Sequence, residues 1–127
     1  MKENEISYQV RAAIFQVYNI LGPGLLESVY VEALAYELAQ SGLDVEMQVP
    51  LKVSYKNLEM SCGFRADLLV NKKVIVEVKS VESLMPVHHN QLITYLKASN
   101  LRLGLLVNFN TVDLQASIIR KVNGLRD

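Results

Sequence analysis

The sequence has a single cysteine, Cys62, which excludes an internal disulfide framework and fits a reducing compartment. No CxxC or other zinc-ligand spacing surrounds it, so Cys62 reads as a small core residue. Neither sign of charge is in excess: 13 Lys and Arg balance 13 Asp and Glu, the formal net charge is zero and the pI is about 6.7. Such a chain has no global field to steer it toward nucleic acid. Its basic residues are scattered, without a polybasic run. Backbone-driven affinity grows with the number of phosphates contacted, so a monomer should bind duplex weakly, which counts against a stand-alone DNA-binding module. A homodimer or a partner protein would relieve that weakness. No stretch approaches the roughly 18 apolar residues of a membrane span, and the opening "MKENEISYQV" lacks the basic-then-apolar pattern of a signal peptide. No membrane partner is expected, and the expected location is cytoplasmic. Repeats, linkers and low-complexity tracts are absent too. The 127 residues, half of them hydrophobic, therefore read as one domain, 1–127, long enough to bury a core without a disulfide or structural metal.

Periodicity supplies the elements. Ile6, Val10, Ala13, Ile14, Val17, Ile20 and Leu21 recur at helical spacing, and "GPG" at Gly22, Pro23 and Gly24 ends that helix. A second helical stripe runs from Leu26 to Leu38 and stops at Gly42, with Glu27 in its first turn. The period then becomes two: Val45, Met47, Val49, Leu51, Val53 and Tyr55 share one face of a strand that Pro50 assigns to an edge or a bulge. Lys56 and Asn57 make a two-residue turn, and a second strand alternates from Leu58 to Val70, so that pairing Tyr55 with Leu58 sets apolar against apolar. If Asn71, Lys72 and Lys73 form a three-residue loop, Val70 faces Val74, Leu68 faces Val76 and Asp67 faces Glu77 on a third strand ending at Lys79. Pro86 opens a helix to Asn100, and the apolar run from Leu101 to Phe109 is a central strand covered on both faces. "ASIIRKV" fits either an edge strand or a helical turn. The fold class is α/β, a mixed sheet of about four to five strands flanked by helices.

The register that buries the valines has a second effect: it sets Asp67 against Glu77, and like charges facing each other in a sheet destabilise it unless a positive group lies between. Lys79 shares the face of Glu77, two residues on. Two close carboxylates hold a hard divalent cation, Mg²⁺ or Mn²⁺, to which the backbone carbonyl of Val78 could add a ligand. Lys79 would orient the attacking water in the hydrolysis of a phosphodiester. The plainer alternative is a solvated face with a cross-strand ion pair. Arg65 would face Lys79 across the strands and contact phosphate or relieve the carboxylates. The adjacent His88 and His89 diverge by about 100° on a helix and make a poor chelate.

Asp67 together with "EVK" at Glu77 to Lys79, in this order of elements, resembles the PD-(D/E)XK nuclease superfamily with its restriction-endonuclease-like core. More narrowly, "LGPGLLESVY", with Gly24, Glu27 and Tyr30, is similar to the GxxExxY family, and so are "GFRADLLV", "VIVEVKSVE", "QLITYLK" and "LRLGLLVNF". The resemblance implies Asp67 and Glu77 as metal ligands, Lys79 as the catalytic lysine, Glu27 as a further carboxylate at the site and Gln91 as a polar group from the next helix. Ala66 stands where the superfamily's name has proline. A glutamate at a helix N-terminus is favoured by the macrodipole in any case, but the Gly-Pro-Gly break fixes where Glu27 points. Tyr30, one turn on, suits a core, a rim or a substrate-contact position equally; Gln91 suits a water or phosphate contact or a strand cap. The function implied is a divalent-metal-dependent nuclease acting on nucleic acid. The rival reading is a non-catalytic nucleic-acid-binding or protein-interaction domain that keeps the same fold.

Overall fold

The computed structural model describes residues 1–126 apart from the side chain of Cys62, so the expected core role of Cys62 lies outside the described residues. Two helices, α1 (Glu3–Leu21) and α2 (Glu27–Gln40), precede a meander of β1 (Val45–Tyr55), β2 (Leu58–Val70) and β3 (Val74–Lys79). Then come α3 (Pro86–Ser99), β4 (Leu103–Asn108), a 3-10 turn (Gln115–Ser117) and β5 (Ile118–Val122). The ambiguous tail is thus both a helical turn and an edge strand. The strands form one five-stranded sheet in the order β1-β2-β3-β4-β5. It is antiparallel except for β3 and β4, which run parallel because α3 makes the crossover between them. Among the described residues no helix is long and apolar enough to cross a membrane.

Strand alternation divides the interior into two cores. Leu68, Val70, Val74, Val76 and Val78 pack beneath α1 and α2. Leu69, Ile75 and Leu106 pack on the opposite face beneath Leu92 and Leu96 of α3. β4 is buried at every position, as its unbroken apolar run requires. Gly104 is there for close approach: a Cβ on it would lie 2.8 Å from Leu92 Cδ1, so α3 can settle onto the sheet only over a bare backbone.

The long hairpin of β1 and β2 belongs to both cores. Val45 packs with the α1/α2 core, whereas Val49 and Leu51, at the same parity, pack with the α3 core. On β2 the same exchange separates Leu68 from Ala66. A rigid two-residue repeat cannot do this, so the ribbon must roll between those positions. Gln48 stands there with φ at 53°, and Asp67 is the residue opposite, between the pairs Met47–Leu68 and Val49–Ala66.

Tyr55 pairs with Leu58 as expected, but the pairing does not continue in one register: Val53 meets Met60 and Leu51 meets Phe64. Three residues of β2, Ser61 to Gly63, thus oppose Lys52 alone. A slip of two residues preserves which face each side chain takes, so apolar still meets apolar. Pro50 lies on the outermost strand, where its missing donor harms no ladder.

Gly104→Ala should lower unfolding free energy by about 1–3 kcal/mol through overpacking against Leu92. In urea denaturation the pair Gly104→Ala, Leu92→Ala should lose less than the sum of the two single changes, because the clash disappears with the leucine.

Candidate active site

The β2–β3 ladder holds the expected register through Val70–Val74, Leu69–Ile75 and Leu68–Val76. It extends no further than Leu68–Val76, where the hairpin rolls. This corrects the expectation that Arg65 faces Lys79: Arg65 pairs with Pro50 on β1 and is exposed. The β3 amide beyond the break would be left without a partner, and a buried unpaired N–H is costly. The Asp67 side chain replaces the lost strand, as the Val78 N–H donates to its Oδ2 at 2.8 Å. One aspartate thus ends the ladder and sets a carboxylate at the edge of β3.

Glu77 lies on the α3 face of β3, only 7% exposed. Its Oε1 is buried with no hydrogen-bond partner among the described residues. Burial first, then the hydrogen bond and negative charge of the Asp67 carboxyl, push Glu77 up to about 9. The nearby Lys79 ammonium opposes that rise without cancelling it. Near neutral pH Glu77 therefore keeps its proton. The charges that looked out of place in the strand are one coupled cluster at the C-terminal end of β3.

Glu27 approaches the same strand end from the other side. Gly22 and Gly24 adopt φ of 69° and 95°, a conformation costly for residues with a Cβ, and their loop starts α2 beside the exit of β3. The Ser80 N–H donates to Glu27 Oε2 at 3.2 Å, and the Ser80 hydroxyl donates to the Leu25 carbonyl at 2.6 Å. Tyr30 locks the loop from beneath: its hydroxyl donates to the Gly22 carbonyl at 2.6 Å and accepts from the Leu25 N–H at 3.1 Å. Its ring is buried and stacks on Phe109 with centroids 4.2 Å apart. Tyr30 therefore has no free edge for substrate. Of the positions open to it, the core is correct, because both its polar and its apolar surfaces are used inside the protein.

A family model described as the PD-(D/E)XK nuclease superfamily matches residues 4–121. The chain belongs to that superfamily. Searches of curated proteins and of solved structures return no match. PD-(D/E)XK nucleases typically use divalent metals, and the Asp67–Glu77 pair fits such an ion. An unpartnered buried oxygen on Glu77, in a carboxyl that burial and Asp67 hold in its protonated form, is what a cation would satisfy. Glu27 departs from the expected ligand set. Among the described residues no three His, Cys, Asp or Glu side chains are grouped for a metal, and Glu27 instead accepts from the Ser80 amide.

Tyr95 of α3 also lies near the carboxyl cluster, a placement that sequence reasoning did not assign. Its ring stacks on Phe64 with centroids 3.7 Å apart and planes 8° from parallel. Burial, followed by the charges of Glu77 and Asp67, raises its ionisation above the usual range, which places the phenol beside the carboxylates. Spacing gave one signal: Tyr95 follows Gln91 by one helical turn, and Gln91 is exposed on the same helix. His88 accepts a hydrogen bond from the Met85 N–H through Nδ1 at 2.9 Å, so it caps α3 and does not chelate with His89.

A carboxyl whose folded pKa lies above its unfolded value binds its proton more readily in the folded state, so it destabilises the fold as pH rises between the two. Without metal, unfolding free energy should fall from pH 5 to pH 8.5, by up to about 1.4 kcal/mol per pH unit from this group. Glu77→Gln should flatten that slope in urea titrations and become the more stable protein at the alkaline end.

Proposed function

We propose that this chain hydrolyses phosphodiester bonds in nucleic acid with a divalent cation, Mg²⁺ or Mn²⁺. The observation that carries the reading is the Asp67–Glu77–Lys79 cluster, in which two hydrogen-bonded carboxyl groups lie near an ammonium group. Asp67 and Glu77 would hold the cation. Val78 is turned to the same edge of β3, and in a strand a residue's carbonyl points the way its amide does, which supports Val78 as a further ligand. When bound, the ion supplies neutralisation of the charge that builds on a phosphoryl oxygen. Asp67 also keeps the end of β3 in place through the Val78 amide. Lys79, half-buried, points its three N–H donors to the attacking water and a nonbridging phosphate oxygen. Glu27, holding the Ser80 amide, fixes the backbone next to Lys79 and so acts as a positioning residue. Tyr95 walls the site and keeps bulk water from the carboxylates, and Gln91 and Arg65 are candidates for substrate contact from the rim. The affinity to GxxExxY proteins, carried by Gly24, Glu27 and Tyr30, belongs to the same reading.

The test pairs the wild type with Lys79→Ala on single-stranded, duplex and branched DNA and RNA, in Mg²⁺ or Mn²⁺. Wild-type cleavage is expected, reduced about 10²–10⁴-fold in the variant. Cleavage by neither folded protein would favour the non-catalytic binding domain. Metal binding is checked separately: millimolar Mn²⁺ should raise the melting temperature of the wild type at pH 8 and leave Asp67→Asn unchanged.

A further inference from the structure

A second polar recess opens one strand away from Lys79. In the parallel β3–β4 pair Lys79 is the register partner of Asn108, so the two residues lie on the same α3 face about 4.8 Å apart in backbone. Asn108 is buried and fully used: its amide donates to the Val81 carbonyl at 2.9 Å, and its Oδ1 accepts from the Val81 N–H at 3.0 Å. By holding both polar groups of Val81, it lifts the chain that leaves β3 over the ends of the strands. A cleft of about 290 Å³ opens where that chain meets the first turn of α3 and the start of β5, with Asn108 in its wall. That volume is at the small end of ligand pockets.

The lining defines the ligand. Leu84 and Ile119 provide apolar walls, while Ser83, His89 and Asn110 bring hydroxyl, imidazole and amide groups. Neither Ser83 nor His89 makes a side-chain hydrogen bond among the described residues. Burial, then the positive charge of Lys121, then His88 hold His89 below its ordinary pKa, so at neutral pH it offers one donor and one acceptor. Glu82, lining the cleft, and Lys121, whose charge reaches His89, oppose each other in sign, so a neutral, flat, polar group with apolar faces suits the cleft.

We infer that this cleft binds the nucleoside, base and sugar, of the nucleotide adjoining the phosphodiester at Lys79. The inference rests on the hydrolase reading for the location of that phosphodiester, but nucleoside binding can be measured without it. Amide NMR spectra of metal-free protein would be recorded with adenosine, cytidine and thymidine, and with inorganic phosphate for comparison. Nucleosides should shift the amides of Ser83, Leu84, His89 and Asn110 saturably, and phosphate should leave them in place. His89→Ala should weaken that binding at least tenfold, and Ser83→Ala, at an exposed position, should weaken it with the fold intact.

Unmoved amides, equal shifts with phosphate, or wild-type affinity in both variants would overturn the inference. Polymer cleavage without nucleoside binding would overturn the subsite alone. Nucleoside binding without cleavage of any polymer would overturn the hydrolase and keep the cleft as a nucleoside site.

Discussion

The hydrogen bond from the Val78 N–H to Asp67 Oδ2 is the contact on which the rest of this end of the molecule depends. β2 has to leave β3 so that its hairpin can pass from one core to the other, and leaving strands an amide in the middle of a sheet. A side-chain oxygen is the one acceptor that can reach from a departing backbone, and only a short acidic or amide side chain does so without filling the gap. An asparagine would meet the same backbone need. The carboxylate adds charge, and that charge raises Glu77. One residue thus couples the shape of the sheet to the electrostatics of the site.

The electrostatic arrangement runs against the stability of the isolated chain. Glu77 occupies a position where an apolar residue would pack against Leu92 and its neighbours, and it keeps one oxygen unsatisfied there. Burying that oxygen without a hydrogen-bond partner costs free energy that the Asp67 contact and the Lys79 charge do not cancel. A position like this is expected where function, and not folding, selects the residue. By contrast, Glu27, Ser80 and Tyr30 are joined to the loop before α2 by hydrogen bonds that hold it in place although it contains glycines at positive φ.

Much of this was legible in the sequence because one constraint served twice. Burying Val70, Val74 and Val76 dictated a three-residue loop, and the register it set ends at Leu68–Val76, one step short of Asp67 and Glu77, whose side chains still meet. Helix limits followed from the Gly22–Gly24 break and from Pro86, since both act through local backbone geometry. What could not be read was any feature set by tertiary contact. A period-two pattern says nothing of a roll at Gln48, because the pattern is the same on both sides of it, so Arg65 was carried along a ladder that does not extend to it. Tyr30 has the composition of a site residue and a core residue at once, and only the Gly22 and Leu25 partners decide between them. Tyr95 was hidden for the opposite reason: an aromatic on a helix gives no sign that it stacks on Phe64 within reach of the charges of Glu77 and Asp67.

The roll of the hairpin also bears on how the protein opens. Its inner half, through Val45, Leu68 and Val70, is fastened beneath α1 and α2, while its outer half, with Val49, Leu51 and Ala66, is held mainly by α3 and the Phe64–Tyr95 stack. The two halves meet at Gln48 and Asp67, the one position between Val45 and Leu51 where the β1–β2 ladder has no pair. The outer half can detach as a separate unit of local unfolding while the α1/α2 core stays closed. The boundary of that unit is Asp67 itself, so the event that frees the ribbon is also the one that would bare the carboxylates to solvent and to a long polymer.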